Sequence, residues 1–312
     1  RCVMCDIWKI KDYPELTLEQ FKKLPNSLRD INLSGGEPFL RSDLSEIVKI
    51  IVQQCPKARI VVSTNGFATE LIVKQMKKIL KIKADIGVAV SIDGLSEMHN
   101  ELRGVPGGFE KAINTVKELK KLGMNNLRLG FTVMEKNINQ MSKVYSLAKG
   151  LGVEFTHSFA QSSDFYFGGK QNEFHPRFDL LKREYEYLIN EELKSWKIKK
   201  WLRAYFAYGM YKFIVSRSPV LDNAPGRDFF FLDPDGIIYP SVVHNVKMIN
   251  IREIKKIEDF WCSKEAEEKR RQVDDLKIPV WMICTARTAI RKHLFKVLFW
   301  ILKNKIFGFK LR

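Results

Sequence analysis

The chain is short of cysteine, of glycine and proline, of long apolar runs and of acid. Its five cysteines, at positions 2, 5, 55, 262 and 284, form no regular even-numbered framework, and a chain of 312 residues does not need one. A disulfide-stapled scaffold is excluded, and a reducing cytoplasm is the expected compartment. With 18 glycines and 11 prolines the chain is no low-complexity polymer, and 45% hydrophobic residues is the composition of a packed globular protein. The longest apolar run of the carboxyl-terminal stretch, Val297 to Leu302, is far below the ~20 residues that span a bilayer. A charged-then-apolar leader is missing as well, and the chain opens on Arg1, so its start is expected to be a cropped end.

The shortage of acid is the largest of these. Lysine and arginine outnumber aspartate and glutamate 53 to 36, a formal charge of +17. Such a surface is predisposed to phosphates, anionic lipids or acidic peptides, although a solvated basic surface is the simpler account. At roughly 150 residues per domain, two domains are expected.

From about residue 30 to 160, short β-rich runs alternate with helical patterns. Strands are expected at residues 30–33, 59–63, 86–92, 127–134 and 153–159, with helices at 43–54, 70–83, 109–122 and 139–151. Right-handed βα units of this kind either curl into a barrel or form an open doubly wound sheet, and periodicity does not choose between them. In both, functional loops belong at the carboxyl ends of the strands. Unusual residues gather there: Ser34 to Pro38, Thr64 to Gly66, Asp93 to Gly94 and Glu135 to Asn137. Beyond residue 160 come a charged helix near 176–193, an aromatic stretch over 196–213, and two short strands around the turn Asp233 to Gly236.

Two motifs carry chemistry. Cys2 and Cys5 form a Cys-x-x-Cys pair, which read alone is a zinc knuckle or a redox pair. Zinc would usually call for a second pair nearby, and Cys55 and Cys262 stand alone. Gly35-Gly36-Glu37-Pro38 follows a strand directly, so the backbone can approach a ligand while Glu37 offers a carboxylate; a plain glycine-rich turn is the other account.

Together these elements resemble the radical S-adenosylmethionine superfamily, whose signature is Cys-x-x-x-Cys-x-x-Cys followed by a Gly-Gly-Glu-Pro turn. The resemblance makes Cys2 and Cys5 the second and third cluster cysteines, with the first four residues ahead of Cys2. Met4 stands where the family has an aromatic residue beside the adenine. Ser63-Thr64-Asn65-Gly66, Ser91-Ile92-Asp93-Gly94, His99, Arg103 and Pro106 to Phe109 extend the likeness, the last of these pointing to the branch with a carboxyl-terminal SPASM or twitch domain. The implied fold is α/β, a partial (β/α)6 TIM-type barrel with a small α+β SPASM/twitch-like module. The implied division is a core barrel over 1–160, lacking its first strand and first cluster cysteine, then a helical connection over 161–222, a degenerate module over 223–285 and a basic apolar tail helix over 286–312.

The implied cofactors are one 4Fe-4S cluster and S-adenosylmethionine. Three thiolates leave one iron free for the amino and carboxylate groups of the latter, whose reductive cleavage gives a 5'-deoxyadenosyl radical. By this resemblance Gly35, Gly36 and Glu37, with Pro38 closing the turn, receive the methionine ammonium. Ser63 and Ser91 hydrogen-bond the cofactor, Arg103 takes its carboxylate, and Asp93 either contacts it or orients a loop. His157, at the end of a strand, could face substrate, although a lone histidine is more often structural. A small flavodoxin- or ferredoxin-type electron donor and a peptide or lipid-linked substrate are the implied partners.

The second module departs from the pattern. Asp222 to Gly226, Tyr239-Pro240-Ser241 and Trp281 to Cys284 stand where the branch carries cysteines, and only Cys284 is in register. No auxiliary cluster is expected, and Cys262 is read as a buried free thiol rather than a ligand in an unusual arrangement. Residues 276–312 contain no acid while seven or more lysines and arginines punctuate an apolar pattern. That stretch is expected either to lie at a membrane interface, at the inner face of the membrane, or to pack its apolar side on the barrel or on a second subunit. A non-catalytic basic module drawn to nucleic acid or membrane would leave the glycine turn unexplained, and a homologue that binds S-adenosylmethionine without turnover is a third possibility.

Overall fold

The computed structural model describes residues 1–11 and 15–311. Five parallel strands form its centre: β1 (Asp30–Leu33), β2 (Arg59–Thr64), β3 (Gly87–Ser91), β4 (Leu127–Val133) and β5 (Glu154–Phe159), hydrogen-bonded in chain order. After the short α1 (Leu18–Phe21), helices α2 (Leu44–Gln54), α3 (Thr69–Ile82), α4 (Ser96–Arg103), α5 (Gly108–Lys121) and α6 (Met141–Gly150) fill the crossovers. Strands that never double back past β1 cannot make a doubly wound sheet, so the alternative left open by periodicity resolves as an open half-barrel, a partial TIM-type barrel.

The strands are two-faced. In β2, Ile60 and Val62 are fully buried under the helices, whereas Arg59, Val61 and Ser63 share the inner face. In β5, Phe155, His157 and Phe159 are buried on the helix side, and Glu154, Thr156 and Ser158 face inward. The crossover helices answer with apolar stripes such as Ile72, Met76 and Ile79 of α3 and Ala112, Val116 and Leu119 of α5. Burying one such side chain fully contributes about 1.5–3 kcal/mol.

At the amino ends of the strands the inner face is charged. Register places Asp30 beside Arg59 and Arg128 beside Glu154. Asp30 also accepts Arg287, and Glu154 accepts Arg203 and, at 2.5 Å, Lys199. Cations outnumber carboxylates in this layer, so burial and the neighbouring arginines, Arg203 first, push the Arg128 guanidinium down to about 10.

After β5, α7 (Phe178–Lys194) and α8 (Ile198–Ser216) pack as an antiparallel pair on the barrel. Next comes an antiparallel sheet of β6 (Phe231–Leu232), β7 (Ile237–Tyr239) and β8 (Ile249–Asn250). The β6–β7 hairpin is the one expected, with Gly236 at φ +85° and the Asp233 carboxylate accepting the Ile237 amide. The third strand adds to it. Four helices complete the chain: α9 (Ile257–Trp261), α10 (Lys264–Leu276), α11 (Ile283–Lys292) and α12 (Leu294–Phe307). The tail is thus two helices broken at His293, and the boundary expected between 285 and 286 falls inside α11.

That helix matters for the barrel. Arg287 and Arg291 bind Asp30 of β1 while α11 also contacts β5, so it bridges the gap between the two edge strands. Fully buried Trp281, just ahead of it, donates its indole N–H to the Phe206 carbonyl; a Cβ on Gly209 would meet its ring at 2.4 Å.

Candidate functional site

The carboxyl ends of β1 to β4 meet in a polar network beneath the cysteine loop. Glu37 lies at the amino end of a one-turn 3-10 helix, Pro38–Leu40, whose fixed proline φ closes the turn after β1. Its carboxylate accepts the Thr64 hydroxyl at 2.8 Å, the Asn65 amide at 2.8 Å and the Phe39 amide at 3.3 Å. Glu37 therefore clasps the β1 turn to the end of β2, and burial, partly offset by those bonds, raises its pKa. Having up to four acceptor positions, it retains capacity for a further donor. A Cβ at Gly35, φ +151°, would meet no atom within 4 Å, and one at Gly36 would meet only the Ile7 Cγ2 at 3.7 Å. The backbone of this turn is open on the side facing the cysteine loop.

The β3 end is organised by Asp93, which is completely buried. One carboxylate oxygen accepts the Thr132 amide at 2.7 Å, and the other accepts Nε and Nη2 of Arg103, both at 2.6 Å. The Asp93 amide donates to Nδ1 of His99, and its carbonyl accepts from Asn137. His99 is buried between Phe67 and Phe109, and burial lowers its pKa to about 4, so it is neutral near pH 7. This geometry bears on two of the expected roles. Asp93 spends its carboxylate on orienting α4 and β4, the loop-orienting role of the two weighed for it. Arg103 is held by Asp93 through the pair of N–H groups that would grip a cofactor carboxylate bidentately. Its remaining Nη1 stands 3.8 Å from Cys2 Sγ and donates to it.

The cysteine loop is tied down at several points. The Val3 amide donates to the Leu102 carbonyl, Asp6 to Phe167 and Cys5 to Cys2, the last of these folding both thiols into one tight turn. Gly168, at φ +71°, lets the chain pass so close to Asp6 that a Cβ would lie 2.4 Å from its carbonyl carbon. Met4 is buried with Leu102, Met134 and Ala160, and its carbonyl accepts from Asn172. Burial raises the Cys5 thiol, opposed by the Ile7 amide. Among the described residues no group of three histidine, cysteine or acidic side chains is placed to hold a metal ion. Cys2 and Cys5 thus suit two positions of a thiolate-bound cluster and do not complete a set.

Ser63 donates to Asn32 at 3.1 Å, and Ser91 sits on the same inner face. Of the two readings of His157, the structural one fits its place: its position in β5 turns it outward, stacked on Phe155 and enclosed by Tyr185 and Phe206, and burial drives its pKa down to about 3. Cys262, expected to be buried, is exposed. Sequence reading missed Tyr166, which follows β5. It packs on Phe231 of β6 while neighbouring Phe165 stacks on Tyr239 at 4.0 Å, so the small sheet is clamped over the barrel. Burial raises the Tyr166 phenol, with Ser34, Cys5 and Cys284 all close enough to act on it. An aromatic run beyond a strand was its only signal.

Residues 1–148 match the family model described as the Radical SAM superfamily. The chain is 31% identical over 166 residues to an AdoMet-dependent heme synthase of Methanosarcina barkeri, covering 51% of this chain and 46% of that protein. It is 31% identical over 192 residues to the antilisterial bacteriocin subtilosin biosynthesis protein AlbA of Bacillus subtilis, covering 58% and 41%. The matched stretch therefore spans under half the length of either relative. The solved structure of anSMEcpe with bound AdoMet and Cp18Cys peptide superposes with a TM-score of 0.62 over 86% of this chain and 78% of that one, at 18% identity, a likeness of fold.

Proposed function

Because the chain belongs to the radical S-adenosylmethionine superfamily, we propose that it holds one 4Fe-4S cluster and S-adenosylmethionine over the carboxyl ends of β1 to β4 and abstracts hydrogen from a peptide. The observation that carries this reading is the convergence of Cys2, Cys5 and Arg103 above the open Gly35–Gly36 turn. When bound, such a cluster supplies the electron that cleaves the sulfonium to methionine and a 5'-deoxyadenosyl radical.

The chain's own residues position and enclose. Cys2 and Cys5 give two thiolates; by the superfamily's spacing, the third comes from the position four residues ahead of Cys2. Arg103 steadies the Cys2 thiolate, with Asp93 and His99 as positioning residues behind it. Gly35 and Gly36 present backbone to the methionine ammonium, and Glu37 adds a carboxylate already aimed by Thr64 and Asn65. Met4 keeps one side of the loop dry, while Ser63 and Ser91 offer hydroxyls along the inner face. A peptide is favoured as substrate by the likeness to AlbA and to a second Bacillus subtilis protein named for sporulation killing factor maturation, 29% identical over 157 residues. A small flavodoxin- or ferredoxin-type protein would deliver the electron.

Anaerobic iron and sulfide loading of the protein with its preceding segment tests the reading. About four irons per chain are expected, with 5'-deoxyadenosine formed only when S-adenosylmethionine and reductant are present. Cys2→Ala and Cys5→Ala should each abolish both. Iron retention in either variant would overturn the ligand assignment, and about eight irons in the parent would overturn the single-cluster reading.

A further inference from the structure

The tail helix α12 has two apolar faces, and only one is used within the chain. Val297 and Ile301 are buried, and Trp300 stacks on Tyr208 of α8 at 4.9 Å with Phe309 closing behind it. Docking on α7 and α8 is therefore complete. On the opposite side Phe295, Phe299, Leu302 and Ile306 recur at helical spacing, with exposures of 93%, 72%, 55% and 72%. Phe307 at the end of the helix is 80% exposed. The patch continues onto Trp196 and Ile198, 85% and 63% exposed, joined to α12 by Lys305, whose Nζ lies 4.8 Å from the Trp196 ring centroid.

We propose that this ridge docks on an anionic lipid surface. Three observations select that occupant. Residues 276–312 carry no acid, while Lys296 and Lys303 flank the ridge and Lys310 lies near its end. A second copy of the same face would set these charges against one another, whereas anionic headgroups neutralise them. The ridge is also solvent-facing along its length, which suits a fluid interface, and phenylalanine and tryptophan are side chains that lie at headgroup depth. Among the described residues no helix is long and apolar enough to cross a membrane, so the contact is peripheral. This surface is separate from the radical chemistry proposed above, and either can fail without the other.

The test is sedimentation of the cluster-loaded protein with vesicles of phosphatidylcholine alone or mixed with phosphatidylglycerol. Binding to the mixed vesicles, weakened by added salt, is expected. The combined substitution Phe295→Ala, Phe299→Ala, Ile306→Ala should lower partitioning roughly tenfold or more, with the unfolding midpoint unchanged because these side chains are solvent-facing. Lys296→Glu with Lys303→Glu should lose the preference for phosphatidylglycerol while keeping the fold. Failure of the parent to bind mixed vesicles, or equal binding by the alanine variant, overturns the proposal. So does a parent that self-associates in sedimentation equilibrium through the ridge, which would assign the face to a second copy.

Discussion

Replacing Asp93 by asparagine removes one charge from the pair that holds the site together. The carboxylate is wholly buried, receives Nε and Nη2 of Arg103 at 2.6 Å each and the Thr132 amide at 2.7 Å. Asparagine is isosteric, but keeping its oxygen on the Thr132 amide turns its NH2 toward the guanidinium, so two donors face one another. Arg103, only 12% exposed, is then left charged with no carboxylate beside it. Breaking a buried pair from one side costs about 3–5 kcal/mol, roughly two to four powers of ten in the folded-to-unfolded ratio. Equilibrium urea unfolding should show a large fall in midpoint at unchanged slope. Asp93→Leu combined with Arg103→Met should recover most of the loss, since an apolar pair avoids the desolvation of both ions. A single-variant loss below about 1 kcal/mol, the range of a solvent-screened pair, would refute the reasoning. A double variant no better than the single would refute it equally.

His157→Phe keeps the aromatic packing with Phe155, Tyr185 and Phe206 while removing a group whose folded pKa is about 3 against an unfolded ~6.5. A histidine depressed in this way contributes stability that is complete above the unfolded pKa and lost as pH falls toward the folded one. The variant should therefore lose stability less steeply between about pH 6.5 and 3, by up to ~1.4 kcal/mol per pH unit. Parallel urea titrations at several pH values would show it, and an unchanged slope would count against a buried neutral imidazole. Gly168→Ala, strained at φ +71° and crowding Asp6, should displace the cysteine loop and lower iron loading, while cooperative unfolding persists. Full iron loading would mean that the loop tolerates the shift.

The barrel was legible because short apolar or alternating strand runs are followed by helices with clear stripes, and local patterning of this kind survives tertiary packing. Helix α4 was not, since Ser96–Arg103 is short and polar and buries only His99 and Leu102. The two-residue β8 lies below any pattern length. In the site, the motif residues fall at strand ends as topology requires, yet their partners could not be read. Glu37 meets Thr64 across 27 positions and Asp93 meets Thr132 across 39. Those contacts follow from strand order and register, which the sequence leaves open between two architectures. They set each motif residue's surroundings: the Arg103 that the resemblance assigns to a cofactor carboxylate already binds Asp93 in space.

The tail shows why one pattern can support two readings. The apolar arc of Leu294–Phe307 is too broad for a single stripe, so sequence alone leaves packing on the protein and contact with lipid as competing accounts. Packing accounts for one side of the helix only. Val297, Trp300 and Ile301 satisfy the first, and doing so turns Phe295, Phe299, Leu302 and Ile306 to solvent. A helix needing only to cap α7 and α8 would gain solubility from polar residues on that outer face. Large apolar side chains there, bordered by lysines and without a single acid in the segment, are a cost that an unpartnered surface has no physical reason to carry.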